Sequence, residues 1–180
     1  MEIVIRDDEQ QVATTVADIV EGYVRRGPAT LGLATGSSPL PSYRELARRH
    51  REHGLDFSAC RAFLLDEYVG LPKTHPQSYF SVIRAEFTDQ VNLDPERVSG
   101  PDGEAVAIPA EAQRYAAALA ASGGVDVQQL GIGTGGPNPA HSTRRAVSQS
   151  STTAAIMRSR PRIRSMKSSP ATEGEWSLSR

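Results

Sequence analysis

Apolar and polar positions keep helical or strand-like spacing up to about residue 133 and neither spacing beyond it. Residues 2–5, Glu-Ile-Val-Ile, predict a short strand. Asp7, with Gln10 three residues later, predicts a capping box. Val12, Val16, Ile19, Val20, Tyr23 and Val24 then recur at helical spacing, and Gly27-Pro28 stops the run. Residues 29–34 read as a second strand. Pro39, tolerated in a first turn, opens a helix that runs to about His50. Residues 61–65 form a third strand, and Tyr79, Val82, Ile83 and Phe87 mark a third helix. Residues 109–122 are Ala-rich and helical, closed by Gly123-Gly124, and residues 125–133 give the last strand.

Strands alternating with helices favour a mostly parallel sheet covered on both faces. The expected fold class is α/β, a Rossmann-like doubly wound sheet that is incomplete and ends in an irregular C-terminal tail. The boundary falls at residue 134. Residues 135–180 hold ten serines and one leucine, with no periodicity over two helical turns, so no structure is assigned to them.

Charge sharpens that division. The whole chain has a net charge of −1, but eight of its twenty basic residues and only two of its twenty-one acidic ones fall in 135–180. An acidic body therefore carries a basic Ser/Arg-rich tail. Such a tail suits nucleic acid or an acidic membrane only if aromatics or a repeated pattern accompany it. This one has the single aromatic Trp176 and no repeat, so neither partner is expected. Cys60 is the sole cysteine, which precludes an intrachain disulfide and fits a reducing cytoplasm, with Cys60 as an apolar filler at a strand edge. The N-terminus lacks the pattern of a signal peptide, and no apolar run reaches the ~20 residues of a membrane span.

Two segments carry candidate chemistry. Thr35-Gly36-Ser37-Ser38-Pro39 lies between a strand and a helix. Gly36 lets the backbone approach a ligand, the serines offer hydroxyls, and the helix start presents free N–H groups to an anion. A plain turn with Ser38 as N-cap explains the same residues equally well. Asp66-Glu67-Tyr68 follows the apolar run at 62–65, at the carboxyl end of a strand where open α/β sheets keep their ligands. A carboxylate there can take a proton from a carbon beside a carbonyl. A helix cap or a structural ion pair is the competing reading. Adjacent acids on extended backbone point apart, so at most one faces the crevice, and spacing does not choose between them.

Other matches are weaker. Gly131 to Gly136 fit G-x-G-x-x-G, but Pro137-Asn138-Pro139 forbids the helix a dinucleotide site needs. His50 and His53 have metal-like spacing at what reads as a solvated helix end, and His75 before Pro76 reads as a loop residue.

The segments ATGSSPL at 34–40, LLDEYVGLPKTHPQSY at 64–79 and LGIGT at 130–134 resemble the glucosamine-6-phosphate deaminases, in that order and at suitable separations. The resemblance covers residues 1–134. Its DEYVGL and HPQSY tracts are specific, while the Gly-Ser-Ser loop is shared with related sugar-phosphate isomerases and lactonases. It implies conversion of glucosamine 6-phosphate and water to fructose 6-phosphate and ammonium, within amino sugar catabolism, with no redox cofactor and no catalytic metal. The implied partner is a small-molecule sugar phosphate, and a homo-oligomer is compatible with it. Thr35, Gly36, Ser37 and Ser38 would hold the substrate, and Asp66 would be the base that moves a proton from C2 to C1 through an enolamine. Glu67 and Tyr68 would shape the site.

The chain departs from the family after Thr134. An Asp-Gly-His follows the family's GIGT strand, with a Glu a few residues later, and those groups open the sugar ring. Here Gly135, Gly136 and Pro137 take the first three places and Ser142 the last, while His141 comes four residues late. The family is also longer, and its later basic residues help hold the phosphate. A truncated or frame-shifted deaminase is the resulting expectation. The alternatives are a non-catalytic sugar-phosphate-binding protein and a related isomerase or 6-phosphogluconolactonase-like enzyme.

Overall fold

The computed structural model describes residues 3–132 and 153–158. Helix α1, Glu9–Val24, opens at Asp8, whose carboxylate accepts the Gln11 N–H at 2.7 Å. The cap falls one residue after the expected Asp7, because Asp8 and Gln11 offer the same spacing as Asp7 and Gln10. Strand β1, Thr30–Leu33, leads to α2, Leu40–His53; β2, Arg61–Leu64, leads to α3, Tyr79–Glu86. After single 3-10 turns at Thr88–Gln90 and Pro95–Arg97 come β3, Val98–Ser99, then α4, Ile108–Ala121, and β4, Val127–Ile132. A fifth strand, β5, spans Thr153–Arg158.

The sheet order is β3-β2-β1-β4-β5. Its first four strands are parallel and β5 is antiparallel to β4. The expected α/β fold with a mostly parallel sheet is present. Side chains alternate across the sheet as a pleat requires. Ala62 and Leu64 join the core formed with Ala17, Val20, Tyr43, Leu46 and Ile83 of α1 to α3. Phe63 points the other way and packs on Tyr115 of α4, ring centroids 5.9 Å apart. Helices therefore cover both faces. Burying one large apolar side chain such as Leu31, Leu46 or Phe57 stabilises the fold by ~1.5–3 kcal/mol before ordering entropy is set against it.

Three expectations need correction. Residues 3–5 do not join the sheet, and Ile3 and Ile5 are exposed; strand propensity alone does not pair a segment without a neighbour to pack on. The two-residue β3 was not expected, because Val98–Ser99 is too short to show a period. The segment 135–180, left without assigned structure, contains β5. Its sequence, Thr-Ala-Ala-Ile-Met-Arg, does not alternate between polar and apolar, yet it includes β-branched Thr153 and Ile156 and adds along the β4 edge. The remaining tail and the expected strand end at Gly133 lie outside the described residues.

Arg49 ties α2 to α1. It is 8 % exposed and meets Glu45 at 2.8 Å on its own helix, with Glu21 at 2.6 Å and Asp18 at 2.8 Å on α1. The Arg48 hydrogen bond, aided by Arg49 and opposed by burial, pulls the Glu45 carboxyl down to about 2. Removing the guanidinium leaves Glu45 with Arg48 alone and Glu21 with Arg25 alone, and breaks the link between the two helices. Arg49→Met should lower stability by about 3 kcal/mol, the low end for a broken buried pair, because Arg48 still faces Glu45. Urea unfolding with the slope held common to both chains measures it.

Candidate active site

Strand order reverses between β1 and β4, which makes the carboxyl ends of these strands the place where an open α/β sheet binds ligands. The loop of Thr35 to Ser38 leaves β1 at that point. The residue just before it, Ala34, is pinned from below. Tyr43, fully buried, donates its hydroxyl proton to the Ala34 carbonyl at 2.8 Å and accepts the Ala34 N–H at 3.0 Å. The ring is held by stacking on Phe87 at 4.9 Å. Gly36 has φ +97°, a conformation open to glycine and strained for other residues, with empty space where a Cβ would stand. Gly36 and Ser37 are exposed, while Thr35 and Ser38 are half-buried.

The capping alternative for Ser38 is overturned. The residue at the N-cap of α2 is Pro39, and no side chain caps that helix. Leu40 N–H instead bonds the Ser37 carbonyl at 3.2 Å, which folds the serine pair over the helix start. Gly131 of β4 comes against Ser38: a Cβ there would stand 3.2 Å from the Ser38 Cβ. The first glycine of LGIGT thus gives the loop its seat against the neighbouring strand.

Asp66, Glu67 and Tyr68 leave β2, the parallel neighbour of β1, just past the pair Leu33↔Leu64. Parallel strands lie roughly 4.8 Å apart, so both candidate loops start side by side. The two carboxylates then part. Glu67 turns to the start of α3 and accepts Tyr79 N–H at 2.9 Å and Phe80 N–H at 3.0 Å, with its own loop's Tyr68 N–H at 2.9 Å. Ser78, fully buried, caps the same helix by accepting Ser81 N–H at 3.0 Å. The HPQSY tract is therefore a helix start, and Glu67 is its second cap.

Asp66 remains on the side of Tyr68 and Tyr79. These rings lie 4.5 Å apart, and the Tyr79 hydroxyl donates to the Tyr68 hydroxyl at 3.0 Å. Tyr79 also reaches the Thr35 side chain and feels the charge of Asp66, so residues from both loops meet at one phenol. Burial, with the nearby Glu67 charge adding to it, pushes the Asp66 carboxyl up to about 6. Burial likewise raises the Tyr79 hydroxyl, which stays protonated as a donor. An open groove of about 550 Å³ flanks this cluster along Tyr68, Val69, Pro76 and Tyr79.

The three histidines among the described residues serve the scaffold. His50 Nδ1 pairs with the Leu55 carbonyl at 2.8 Å, His53 meets Arg48, and His75 accepts the Gln77 N–H at 3.1 Å. Among the described residues no cluster of three metal-ligating side chains occurs. Cys60 is buried beside the sheet as a small apolar residue. Among the described residues no helix is long and apolar enough to cross a membrane. Residues 133–136 of the G-x-G-x-x-G match, with His141 and Ser142, lie outside the described residues.

The family model for glucosamine-6-phosphate isomerases/6-phosphogluconolactonase matches residues 6–137. The chain belongs to that family. It is 75% identical over 136 residues to a glucosamine-6-phosphate deaminase of Rhodococcus opacus (strain B4), covering 76% of this chain and 52% of that protein. It is 60% identical over 137 residues to the glucosamine-6-phosphate deaminase of Arthrobacter sp. (strain FB24), covering 76% of this chain and 53% of that protein. A solved monomeric glucosamine-6-phosphate deaminase superposes with a TM-score of 0.73 at 33% identity, over 76% of this chain and 57% of that one. A 6-phosphogluconolactonase from Plasmodium vivax shares the fold, with a TM-score of 0.57 at 18% identity over 72% of this chain and 46% of that one. The chain spans about half the length of the curated relatives it matches.

The environment of Asp66 gives a pH signature. Its folded carboxyl titrates near 6 and an unfolded aspartate near 4, so between those values the folded chain holds more protons. Stability must fall as pH rises through that window. Asp66→Asn removes this penalty. The variant should melt above the native chain at pH 7.5 and together with it at pH 4, as thermal unfolding at the two pH values would show.

Proposed function

We propose that this chain carries the phosphate-loop and proton-transfer half of a glucosamine-6-phosphate deaminase site. The observation that carries the reading is the juxtaposition of a half-buried Asp66 carboxyl, raised to about 6, with the loop of Thr35 to Ser38 on the adjacent parallel strand. The names and identities of the relatives support it. In this reading Gly36, Ser37 and Ser38 hold the sugar phosphate with backbone N–H groups and hydroxyls. Thr35 joins them through its link to Tyr79, and Tyr68 borders the sugar.

Asp66 takes the proton from C2 of the open-chain amino sugar and returns it to C1 through an enolamine, after which water releases ammonium from C2. A base with a pKa near the working pH is best placed to accept and return the same proton. Glu67, engaged with three backbone N–H groups, fixes the loop and takes no part in proton transfer. The small-molecule substrate is the only ligand the reading needs, and the lone buried thiol of Cys60 suits a cytoplasmic enzyme.

Positions 135, 137 and 142 bear on how far the reaction runs. Glycine, proline and serine stand where the resemblance puts ring-opening acid and base groups, and none of these titrates usefully near neutral pH. A second reading, a non-catalytic sugar-phosphate binder, rests on those residues. Calorimetric titration with glucosamine 6-phosphate, run beside an ammonium-release assay, separates the two.

We expect saturable binding with turnover negligible for a metabolic enzyme. Any release that is measured should fall ~10²–10⁴-fold in Asp66→Asn, the usual loss for a general base. Glu67→Gln should cost much less, because the amide oxygen still accepts two of the three N–H groups. Equal losses in both variants would assign the wrong carboxylate, and no binding by the native chain would sink both readings.

A further inference from the structure

The hydroxyl of Tyr115, midway along α4, donates to the Leu64 carbonyl at 2.6 Å and stands 3.2 Å from the Ser99 carbonyl. These carbonyls belong to the last residues of β2 and β3. The two strands pair only through Ala62↔Val98 and Phe63↔Ser99, and β3 then runs into Gly100-Pro101. Proline has no N–H with which to extend a ladder. The sheet pairing therefore stops beside the last residue of β2, and a phenol from the helix layer supplies a donor. A phenol has one proton, and the shorter contact, to Leu64, is the one that takes it. Burial raises this hydroxyl too, so it stays a donor across the physiological range.

The position of that bond matters more than its strength. Leu65, the next residue, is 47 % exposed and has little packing to direct it, and the residue after it is Asp66. Glu67 fixes the far side of the turn on α3, and Tyr115 meets the near side from the opposite face of the sheet. Between those two anchors lie only Leu65 and Asp66.

We infer that Tyr115 is a positioning residue for Asp66: its bond to the Leu64 carbonyl sets the direction in which the chain leaves β2 and so keeps the carboxyl half-buried. The inference rests on the reading of Asp66 as the base and adds a residue from outside both loops. Without the hydroxyl, the end of β2 loosens, water reaches Asp66, and the carboxyl drops toward its ordinary value.

The test is a carboxyl ¹³C NMR titration of the 180-residue chain, with Asp66→Asn identifying the resonance. The native midpoint should lie near 6, and Tyr115→Phe, which keeps the ring contact with Phe63, should bring it down by about one unit or more toward 4. Phe63→Leu, which weakens that packing and keeps the hydroxyl, should leave the midpoint in place.

An unchanged midpoint in Tyr115→Phe overturns the inference. So does an equal drop in Phe63→Leu, which would indicate general loosening of the sheet. A Tyr115→Phe chain that fails to fold also overturns it, since the hydroxyl is given a local task. The titration needs no substrate, so a chain that binds no glucosamine 6-phosphate would refute the deaminase reading while the midpoint shift still judges Tyr115.

Discussion

The register Leu33↔Leu64 is the constraint on which the rest of the candidate site depends. It brings the carboxyl ends of two central parallel strands level, so that the loop of Thr35 to Ser38 and the loop from Leu65 onward begin at the same height. A slip of one residue would turn every side chain of β2 to the other face, sending Ala62 and Leu64 away from the core and Phe63 into it. The apolar face of the sheet therefore enforces the alignment of the polar ends. The same burial that stabilises the body decides which loops are neighbours.

Fixed strand ends do not fix loops, and the chain supplies separate anchors for each. Tyr43 satisfies both backbone groups of Ala34, which a buried strand end would otherwise leave unpaired at a cost of about 1–3 kcal/mol each. Glu67 and Ser78 together accept the first three N–H groups of α3, so the turn after Asp66 is tied to a helix rather than to solvent. A charge at a helix N-terminus is also favoured by the helix dipole. Gly103 completes the frame. Its backbone lies so close to the Tyr68 carbonyl that any Cβ would collide with it, and its own carbonyl accepts the Gly70 N–H at 2.6 Å.

Much of this was legible from residue order, and the parts that were not have physical reasons. The helices at Val12 to Val24 and after Pro39 follow from periodicity, and the strands at 30–33 and 61–64 from short apolar runs between turns. Spacing alone left Asp66 and Glu67 equivalent, and only the family resemblance favoured Asp66, because the choice depends on where α3 begins in space, twelve residues further on. Tyr43 and Tyr115 gave no signal, and Tyr79 read as a helix position and the end of the HPQSY tract, with no task for its hydroxyl. A tyrosine on a helix face reads as packing, and only its position against a strand end reveals the task of its hydroxyl. Ser38 read equally well as a cap, and it took the actual helix start at Pro39 to remove that reading.

Carboxyl groups in this chain divide by their surroundings. Hydrogen bonds from arginines hold Glu45 and Glu111 down to about 2, each first through one neighbour on its own helix, Arg48 and Arg114. Such groups are charged at any physiological pH and act as struts. Asp66 is displaced in the other direction, and by burial and a like charge rather than by a partner. A carboxyl in that state stabilises nothing by being ionised, so its environment is a cost that packing elsewhere must offset. Environments that push two carboxyl classes apart are how one fold keeps structural acids and proton acceptors distinct. Asp66 lies on the other side of that divide from Glu45 and Glu111, while its neighbour Glu67 is taken up by three backbone N–H groups.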